Sequence, residues 1–263
     1  MNRIDQKFSQ LKRNKKKAFI AFITAGDPDL TTTEKLVLAF ERSGVDIVEL
    51  GVPFSDPLAD GPTIQAASQR AIAQGVTLKK ILALVKRLRA TTELPICLMT
   101  YYNPVFHFGE KEFVAQAVRA GVDGLIIPDL PPEEAKTLIA QARRVNLATI
   151  FFLAPTTDFT RVALINKSST GFIYYVSVAG VTGARTALPK ALRAALKAFQ
   201  RKSTKPICVG FGISTPAQVR EIARYADGVI VGSAIVKEIL KNKNKKNLVA
   251  CVAKFVRSLS RYV

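Results

Sequence analysis

Three carboxylates stand close together around one strand-like segment of the chain. Glu49 is near the end of the apolar segment 46–50, and Asp56 and Asp60 lie in the Pro- and Gly-rich segment that follows. Burying an ionised carboxylate among apolar side chains is costly, so Glu49 requires a partner or a raised pKa. A carboxylate in a wetter loop would stay ionised, and two acids in different environments can carry acid and base chemistry at one site. The alternative interpretation is a strand and a surface turn, with Glu49 in a structural pair.

Short apolar runs rich in β-branched residues alternate with helical patterns along the whole chain. We predict eight strands, at residues 19–24, 46–50, 96–100, 124–128, 149–153, 172–177, 207–210 and 228–231. Their nearly continuous hydrophobicity is typical of parallel strands that are covered by helices. Eight βα units in 263 residues predict a (β/α)₈ barrel. A doubly wound sheet is the alternative, but no GxGxxG follows the first strand.

Apolar residues at helical spacing predict the helices between and around these strands. Ile4, Phe8 and Leu11 predict an extra helix before the first strand, and Thr31 with Glu34 predicts a capping box for the next helix. One stripe consists of Leu78, Ile81, Leu82, Val85 and Leu88. No linker or shift in composition divides the chain, so we predict a single domain over residues 1–263.

The charge of the chain is strongly unbalanced. It carries 39 Lys and Arg against 20 Asp and Glu, a formal net charge of +19. The basic residues are spread over nearly every predicted helix, with dense runs only at 15–17 and 241–246. We therefore interpret them as solvated helix faces and expect no nucleic-acid partner, which is the alternative. A positive field would also attract a phosphorylated substrate.

Other features of composition narrow the class of protein. No run approaches ~18 consecutive apolar residues, so we expect no membrane span. Residues 1–17 are polar and basic without an apolar signal core, as is typical of a cytoplasmic protein. Cys97 and Cys208 begin apolar runs and are predicted to be buried thiols, and no CxxC spacing occurs. With His107 as the only histidine, we expect no metal site.

The carboxyl ends of the strands are where a barrel of this type places its active site. Glu49 ends the second predicted strand, and Tyr101 follows the third. The sixth contains Tyr174 and Tyr175, of which alternation allows only one to face inward. These positions predict that several polar side chains converge on one face of the barrel.

Glycines follow the last two predicted strands. Gly212 follows the seventh strand, and Gly232 with Ser233 follows the eighth. Loops at these positions commonly bind phosphate through backbone N–H groups and a helix N-terminus. Tight βα turns without a ligand are the alternative. The long segments 54–62 and 178–189 have the length and the Gly and Pro content of mobile lids.

The segment from Glu49 to Pro62, ELGVPFSDPLADGP, resembles the signature of the tryptophan synthase alpha chain family. The resemblance extends from about Phe8 to Phe255. Other stretches that carry it are TAGDP at 24–28, YYNP at 101–104, PDLP at 128–131, GVTG at 180–183, GFGIS at 210–214 and GSAIV at 232–236.

The resemblance implies cleavage of indole-3-glycerol phosphate to indole and glyceraldehyde 3-phosphate. It implies a beta-chain partner in an α2β2 heterotetramer, with pyridoxal phosphate in that partner and no cofactor in this chain. It implies that Glu49 is the acid and base at indole C3 and at the glycerol hydroxyl, and that Asp60 accepts the proton of the indole N–H. It also implies that Tyr174 is the inward-facing tyrosine and assists by orienting the substrate. The implied substrate contacts are Phe22, Tyr101, Ile126, Phe152, Thr182, Gly183, Phe211, Gly212, Gly232 and Ser233.

Other activities fit the residues less well. A Schiff-base aldolase needs a lysine at an inward strand end, and no predicted strand contains one. A metal-dependent aldolase needs more histidine or acidic ligands. A different phosphate-binding barrel enzyme of the same pathway, or a chain that mainly activates the beta subunit, are the remaining alternatives.

Overall fold

The strands of the protein are short, apolar and parallel. The computed structural model describes residues 2–176, 190–210 and 212–263. Within them the strands are β1 (Ala18–Thr24), β2 (Ile47–Gly51), β3 (Ile96–Met99), β4 (Gly124–Ile126), β5 (Ala148–Ile150), β6 (Phe152–Leu153), β7 (Ile173–Val176), β8 (Ile207–Gly210) and β9 (Gly228–Val231). Seven of the predicted strands coincide with these to within two residues at each end.

Helices follow the strands and cover the sheet. In the described residues they are α1 (Arg3–Arg13), α2 (Leu30–Glu41), α3 (Pro62–Ala73), α4 (Leu78–Leu88), α5 (Tyr102–Phe108), α6 (Glu110–Ala120), α7 (Lys136–Arg144), α8 (Phe159–Ser168), α9 (Lys190–Lys202), α10 (Pro216–Ala223), α11 (Ser233–Asn242) and α12 (Leu248–Ser260). No helix among these residues is both long and apolar enough to cross a bilayer.

The sheet closes on itself at Phe151. The strand order is β5-β4-β3-β2-β1-β9-β8-β7-β6, so β5 and β6 stand at opposite ends of the order although one residue separates them in the chain. β5 pairs with β4, and β6 pairs with β7. The predicted fifth strand is therefore one strand interrupted at Phe151. The predicted (β/α)₈ barrel is confirmed, with this strand in two segments.

Alternation of side chains along the strands separates two cores. Residues such as Ile20, Ile47 and Ile126 fill the barrel interior together with the buried thiols Cys97 and Cys208. The residues between them in sequence pack against the surrounding helices. The prediction that both thiols are buried is thus confirmed.

The extra helix α1 covers the amino end of the barrel. Ile4, Phe8 and Leu11 are its buried residues, as predicted. The Phe8 ring lies 5.9 Å from the Phe172 ring inside the barrel. A side chain at Gly124, the first residue of β4, would come within 2.9 Å of Ile4. The helix is therefore seated against the barrel interior, and the carboxyl ends of the strands form the opposite face.

The cap of α2 differs from the prediction. The helix begins at Leu30, and the Asp29 side chain accepts a hydrogen bond from the Thr32 amide at 2.6 Å. Thr31 consequently lies inside the first turn, and Glu34 pairs with Arg87 of α4 at 3.0 Å. The predicted capping box of Thr31 and Glu34 is wrong because Asp29, two residues earlier, supplies the stronger acceptor.

Candidate active site

A cavity of about 930 Å³ opens at the carboxyl ends of the strands. Its volume lies within the range of small-molecule sites, roughly 300–1,000 Å³. Of the residues predicted to bind substrate or to catalyse, those that line it are Phe22, Asp60, Phe152, Tyr174, Gly212, Gly232 and Ser233. Residues from six different strands or the loops after them thus meet at one place.

Glu49 lies on β2, between Phe22 of β1 and Cys97 of β3 in the register of the sheet. Its side chain is fully buried, and neither carboxylate oxygen has a hydrogen-bond partner among the described residues. Burial raises the pKa of Glu49 to about 8. The group therefore holds a proton at neutral pH. In this structure it is not among the residues that line the cavity.

Asp60 is in the loop that leads into α3. One carboxylate oxygen accepts a hydrogen bond from the Tyr101 hydroxyl at 3.2 Å, and the backbone oxygen accepts one from Gln65 at 2.9 Å. Burial raises the pKa of Asp60 to about 6, against the opposing effect of the Tyr101 hydrogen bond. Asp60 is thus mainly ionised at neutral pH, whereas Glu49 is mainly protonated. The two carboxyl groups differ in the way that acid and base partners require.

Tyr101 lies behind the Asp60 loop and does not line the cavity. Besides donating to Asp60, its hydroxyl accepts a hydrogen bond from the Ala59 amide at 2.9 Å. Its ring stacks on Phe54, with ring centroids 5.3 Å apart. Burial raises the pKa of Tyr101, so the hydroxyl stays protonated. The structure therefore places this tyrosine as a support for the loop that carries Asp60.

Tyr174 faces the cavity, and its neighbour Tyr175 packs on Phe199 on the helix side of the sheet. The Tyr174 ring lies 5.0 Å from the Phe152 ring. Burial raises the pKa of Tyr174, and the negative charges of Glu49 and Asp60 raise it further. The hydroxyl therefore stays protonated and faces the same cavity as Asp60. Gly210 is required here, since a side chain on it would come within 2.5 Å of the Tyr174 hydroxyl.

The glycine loops after β8 and β9 form another wall of the cavity. Gly212 has φ +67°, a conformation that favours glycine. Gly232 precedes α11, and no side chain caps this helix end. The first amides of a helix have no partner within the helix, and the helix dipole favours an anion there. Together with the Ser233 hydroxyl, these groups can bind a phosphate.

Several predicted residues lie elsewhere. Ile126 is fully buried in the barrel interior and does not line the cavity. Phe211, Thr182 and Gly183, with the predicted lid 178–189, lie outside the described residues.

Some residues at the site were not predicted from the sequence. Lys237 and Lys241 line the cavity. They follow Ser233 by four and eight residues, which places all three on one face of the helix, and this spacing could have indicated them from the sequence. Arg70 of α3 makes a bidentate ion pair with the buried Asp27, at 2.9 and 2.7 Å, and joins this helix to the loop after β1. Among the residues that the structure describes, no group of three or more His, Cys, Asp or Glu could hold a metal ion.

The barrel fold, with a cavity and polar groups at the carboxyl ends of the strands, places this protein in the class of (β/α)₈-barrel enzymes. A sequence model of the tryptophan synthase alpha chain family matches residues 8–263, and the chain belongs to this family.

Individual relatives agree with this membership. The chain is 54% identical over 246 residues to the tryptophan synthase alpha chain of Geotalea daltonii, covering 94% of this chain and 93% of the relative. The crystal structure of tryptophan synthase subunit alpha from Legionella pneumophila has a TM-score of 0.93 and 40% identity, covering 100% and 98% of the two chains. A chain from the tryptophan synthase α2β2 complex of Pyrococcus furiosus has a TM-score of 0.86 and 40% identity, covering 92% and 97%.

Proposed function

We propose that this chain, as one domain, is a carbon–carbon lyase that cleaves indole-3-glycerol phosphate to indole and glyceraldehyde 3-phosphate. The observation that carries the proposal is one cavity that holds Asp60 and Tyr174 together with the glycine loops. Such a cavity can bind a phosphate on one wall and exchange protons on another. Membership of the tryptophan synthase alpha chain family supports the same reaction.

The cleavage requires proton transfer at three atoms. Protonated Glu49 donates to indole C3, which prepares the carbon–carbon bond for cleavage. The resulting carboxylate then removes the proton of the glycerol hydroxyl that becomes the aldehyde, and this step restores protonated Glu49. Asp60 accepts the indole N–H proton during the reaction and returns it when the ring regains aromaticity. General acid–base groups of this kind contribute roughly 10²–10⁴-fold each.

Glu49 must move to take part in this reaction. Its carboxyl is fully buried and outside the cavity lining, so rotation of the side chain has to bring it to the substrate. The raised pKa is consistent with such a movement, because an uncharged carboxyl is less costly to bury than a carboxylate. Tyr174, near both acids, orients the substrate between them.

The remaining contacts divide the substrate into an apolar and an anionic part. Phe22 and Phe152 offer aromatic surface to the indole ring. Gly212, Gly232 and Ser233 offer neutral donors to the phosphate, and Thr182 and Gly183 complete this subsite. Phe211 belongs with the aromatic surface for the indole ring. We expect Tyr101 to act through Asp60, and Ile126 to support the cavity floor.

No cofactor is needed in this chain for the proposed reaction. The electrons of the breaking carbon–carbon bond return to the indole ring, which serves as its own electron sink. Pyridoxal phosphate belongs to the beta partner in this proposal.

A tryptophan synthase beta chain is the proposed partner, in an α2β2 assembly like that named for Pyrococcus furiosus. The surface beside the cavity supports this. Leu58, in the Asp60 loop, is 93% exposed, and Phe106 on α5 is 68% exposed. Exposed large apolar side chains near a functional site are typical of an interface. Phe54, which stacks on Tyr101, would connect that interface to Asp60. We place the complex in the cytoplasm.

The test is turnover of purified protein. Indole-3-glycerol phosphate is incubated with the chain alone and with a beta chain, and both products are measured by chromatography. Equimolar indole and glyceraldehyde 3-phosphate are expected. Absence of both products under both conditions would refute the proposed lyase activity, and product only with the beta chain would favour the activating role.

A further inference from the structure

A row of positive charge extends from the proposed phosphate site along α11. Ser233, Lys237 and Lys241 all line the cavity. Residues four apart lie on one face of an α-helix, so the three side chains form a single line. At about 1.5 Å of rise per residue, the two lysines follow Ser233 by roughly 6 and 12 Å along the axis.

The direction of helical side chains turns this row towards the phosphate site. Side chains of an α-helix lean towards its N-terminus and cover the preceding turn. Lys237 therefore leans towards the turn that begins at Ser233, and Lys241 leans towards the turn of Lys237. Both lysines are exposed at the rim, where a long and flexible side chain can reach an entering ligand.

Among the described residues that line the cavity, the other charged groups are carboxylates. Glu238 lies beside Lys237, and its carboxylate accepts a hydrogen bond at 2.8 Å from the side chain of Asn242, which is nearer the C-terminal end of the helix. Asp60 enters from the loop after β2. Glu238 is thus hydrogen-bonded towards the C-terminal end of α11, away from the turn that begins at Ser233.

We propose that Lys237 and Lys241 are the charged part of the phosphate subsite, and that they attract the phosphate dianion to the glycine loops. The inference rests on the proposed function of the cavity and extends it, because Gly212, Gly232 and Ser233 are neutral donors. A cation at the rim acts on a dianion before contact and increases its rate of capture. These lysines are positioning residues, which affect binding and leave the chemical step unchanged.

The basic run at 241–246 continues this row beyond the cavity and provides a matched control. Lys243 and Lys245 are exposed, and neither lines the cavity. Neutralising them removes the same two charges from neighbouring positions. The inference predicts that only the lysines at the cavity wall affect the ligand.

The size of the effect follows from screened Coulomb attraction. An ammonium about 8 Å from a phosphate dianion in water should improve binding roughly four-fold at ~0.01 M ionic strength. The same pair should improve it only roughly two-fold at ~0.15 M, because the Debye length is then about 8 Å. Two such lysines together predict a loss of roughly fifteen-fold at low salt and roughly four-fold at physiological salt.

The experiment compares Lys237→Gln/Lys241→Gln with Lys243→Gln/Lys245→Gln. KM and kcat for indole-3-glycerol phosphate are measured with the beta chain present, from ~0.01 to ~0.3 M salt. Inorganic phosphate is also titrated into each variant by calorimetry. The cavity pair should raise KM and the phosphate Kd by the factors above, flatten the salt dependence of kcat/KM, and leave kcat within about two-fold. Lys237→Arg/Lys241→Arg should restore binding.

Two outcomes would overturn the inference. One is an unchanged KM, phosphate Kd and salt slope in the cavity pair. The other is an equal loss in the control pair, which would assign the effect to net charge alone. Failure of the proposed function has a different result: the wild type would form no indole, while the phosphate titration would still compare the two pairs.

Discussion

The protonation state of Glu49 can be tested through the pH dependence of folding. The pKa of this buried carboxyl is about 8, against 4.5 in an unfolded chain. The folded state therefore keeps a proton that the unfolded state loses, and stability falls as the pH rises between these two values. Each pH unit in the window costs about 1.4 kcal/mol, so the cost at pH 7 is about 3 kcal/mol.

Glu49→Gln removes this titration and keeps a neutral side chain of similar shape. The variant should match the wild type near pH 4.5 and exceed its free energy of unfolding by about 3 kcal/mol at pH 7. The measurement is urea unfolding of both proteins from pH 5 to 8. Other groups titrate alike in the two proteins and cancel in the difference. The same variant should release indole about 10²-fold more slowly or worse.

A matched control is Glu134→Gln, which neutralises an exposed glutamate. Its free energy of unfolding should stay within about 0.5 kcal/mol of the wild type, as for most exposed positions. Infrared difference spectra of wild type minus Glu49→Gln should also show a protonated carboxyl band at pH 7. A stability difference that stays constant from pH 5 to 8, together with no such band, would show that Glu49 is ionised in the folded protein.

Three further predictions follow from contacts around the cavity. Tyr101→Phe removes the hydrogen bond that lowers the pKa of Asp60. The apparent pKa of the acidic limb of the kcat/KM profile should therefore rise by as much as about one pH unit, and an unchanged value would refute this. Arg70→Met leaves the buried Asp27 carboxylate unpaired, so urea unfolding should show a loss of roughly 2 kcal/mol. Gly212→Val forces a branched residue to φ +67°, so KM should rise about ten-fold or more while far-UV circular dichroism is unchanged.

The control for Arg70→Met is Arg161→Met, since Arg161 pairs with Glu133 where both side chains are about half exposed. An exposed ion pair contributes less than about 1 kcal/mol. Equal losses in the two variants would contradict the importance assigned to burial of Asp27.

The repeating pattern of the chain was sufficient to predict the barrel, because each strand is a continuous apolar run between helical stripes. It could not predict the interruption at Phe151, since β5 and β6 differ in pairing partner and not in composition. The position of Glu49 followed from a carboxylate in an apolar strand. The supporting role of Tyr101 could not be predicted, because it depends on how the 54–60 loop folds back over β3. Lys237 and Lys241 were hidden among the many other basic residues.

Because α1 packs against the barrel interior, it forms a closed base at the amino end of the barrel. Ile4 is fully buried under the amino ends of the strands, and Phe8 fills the space below Phe172. Among the described residues, the cavity opens at the carboxyl ends of the strands, opposite this base. That opening is bordered by the loop of Leu58, the same surface that we assign to the beta chain. A partner seated there would cover the mouth of the cavity, so indole formed by the proposed reaction would leave the cavity next to that partner.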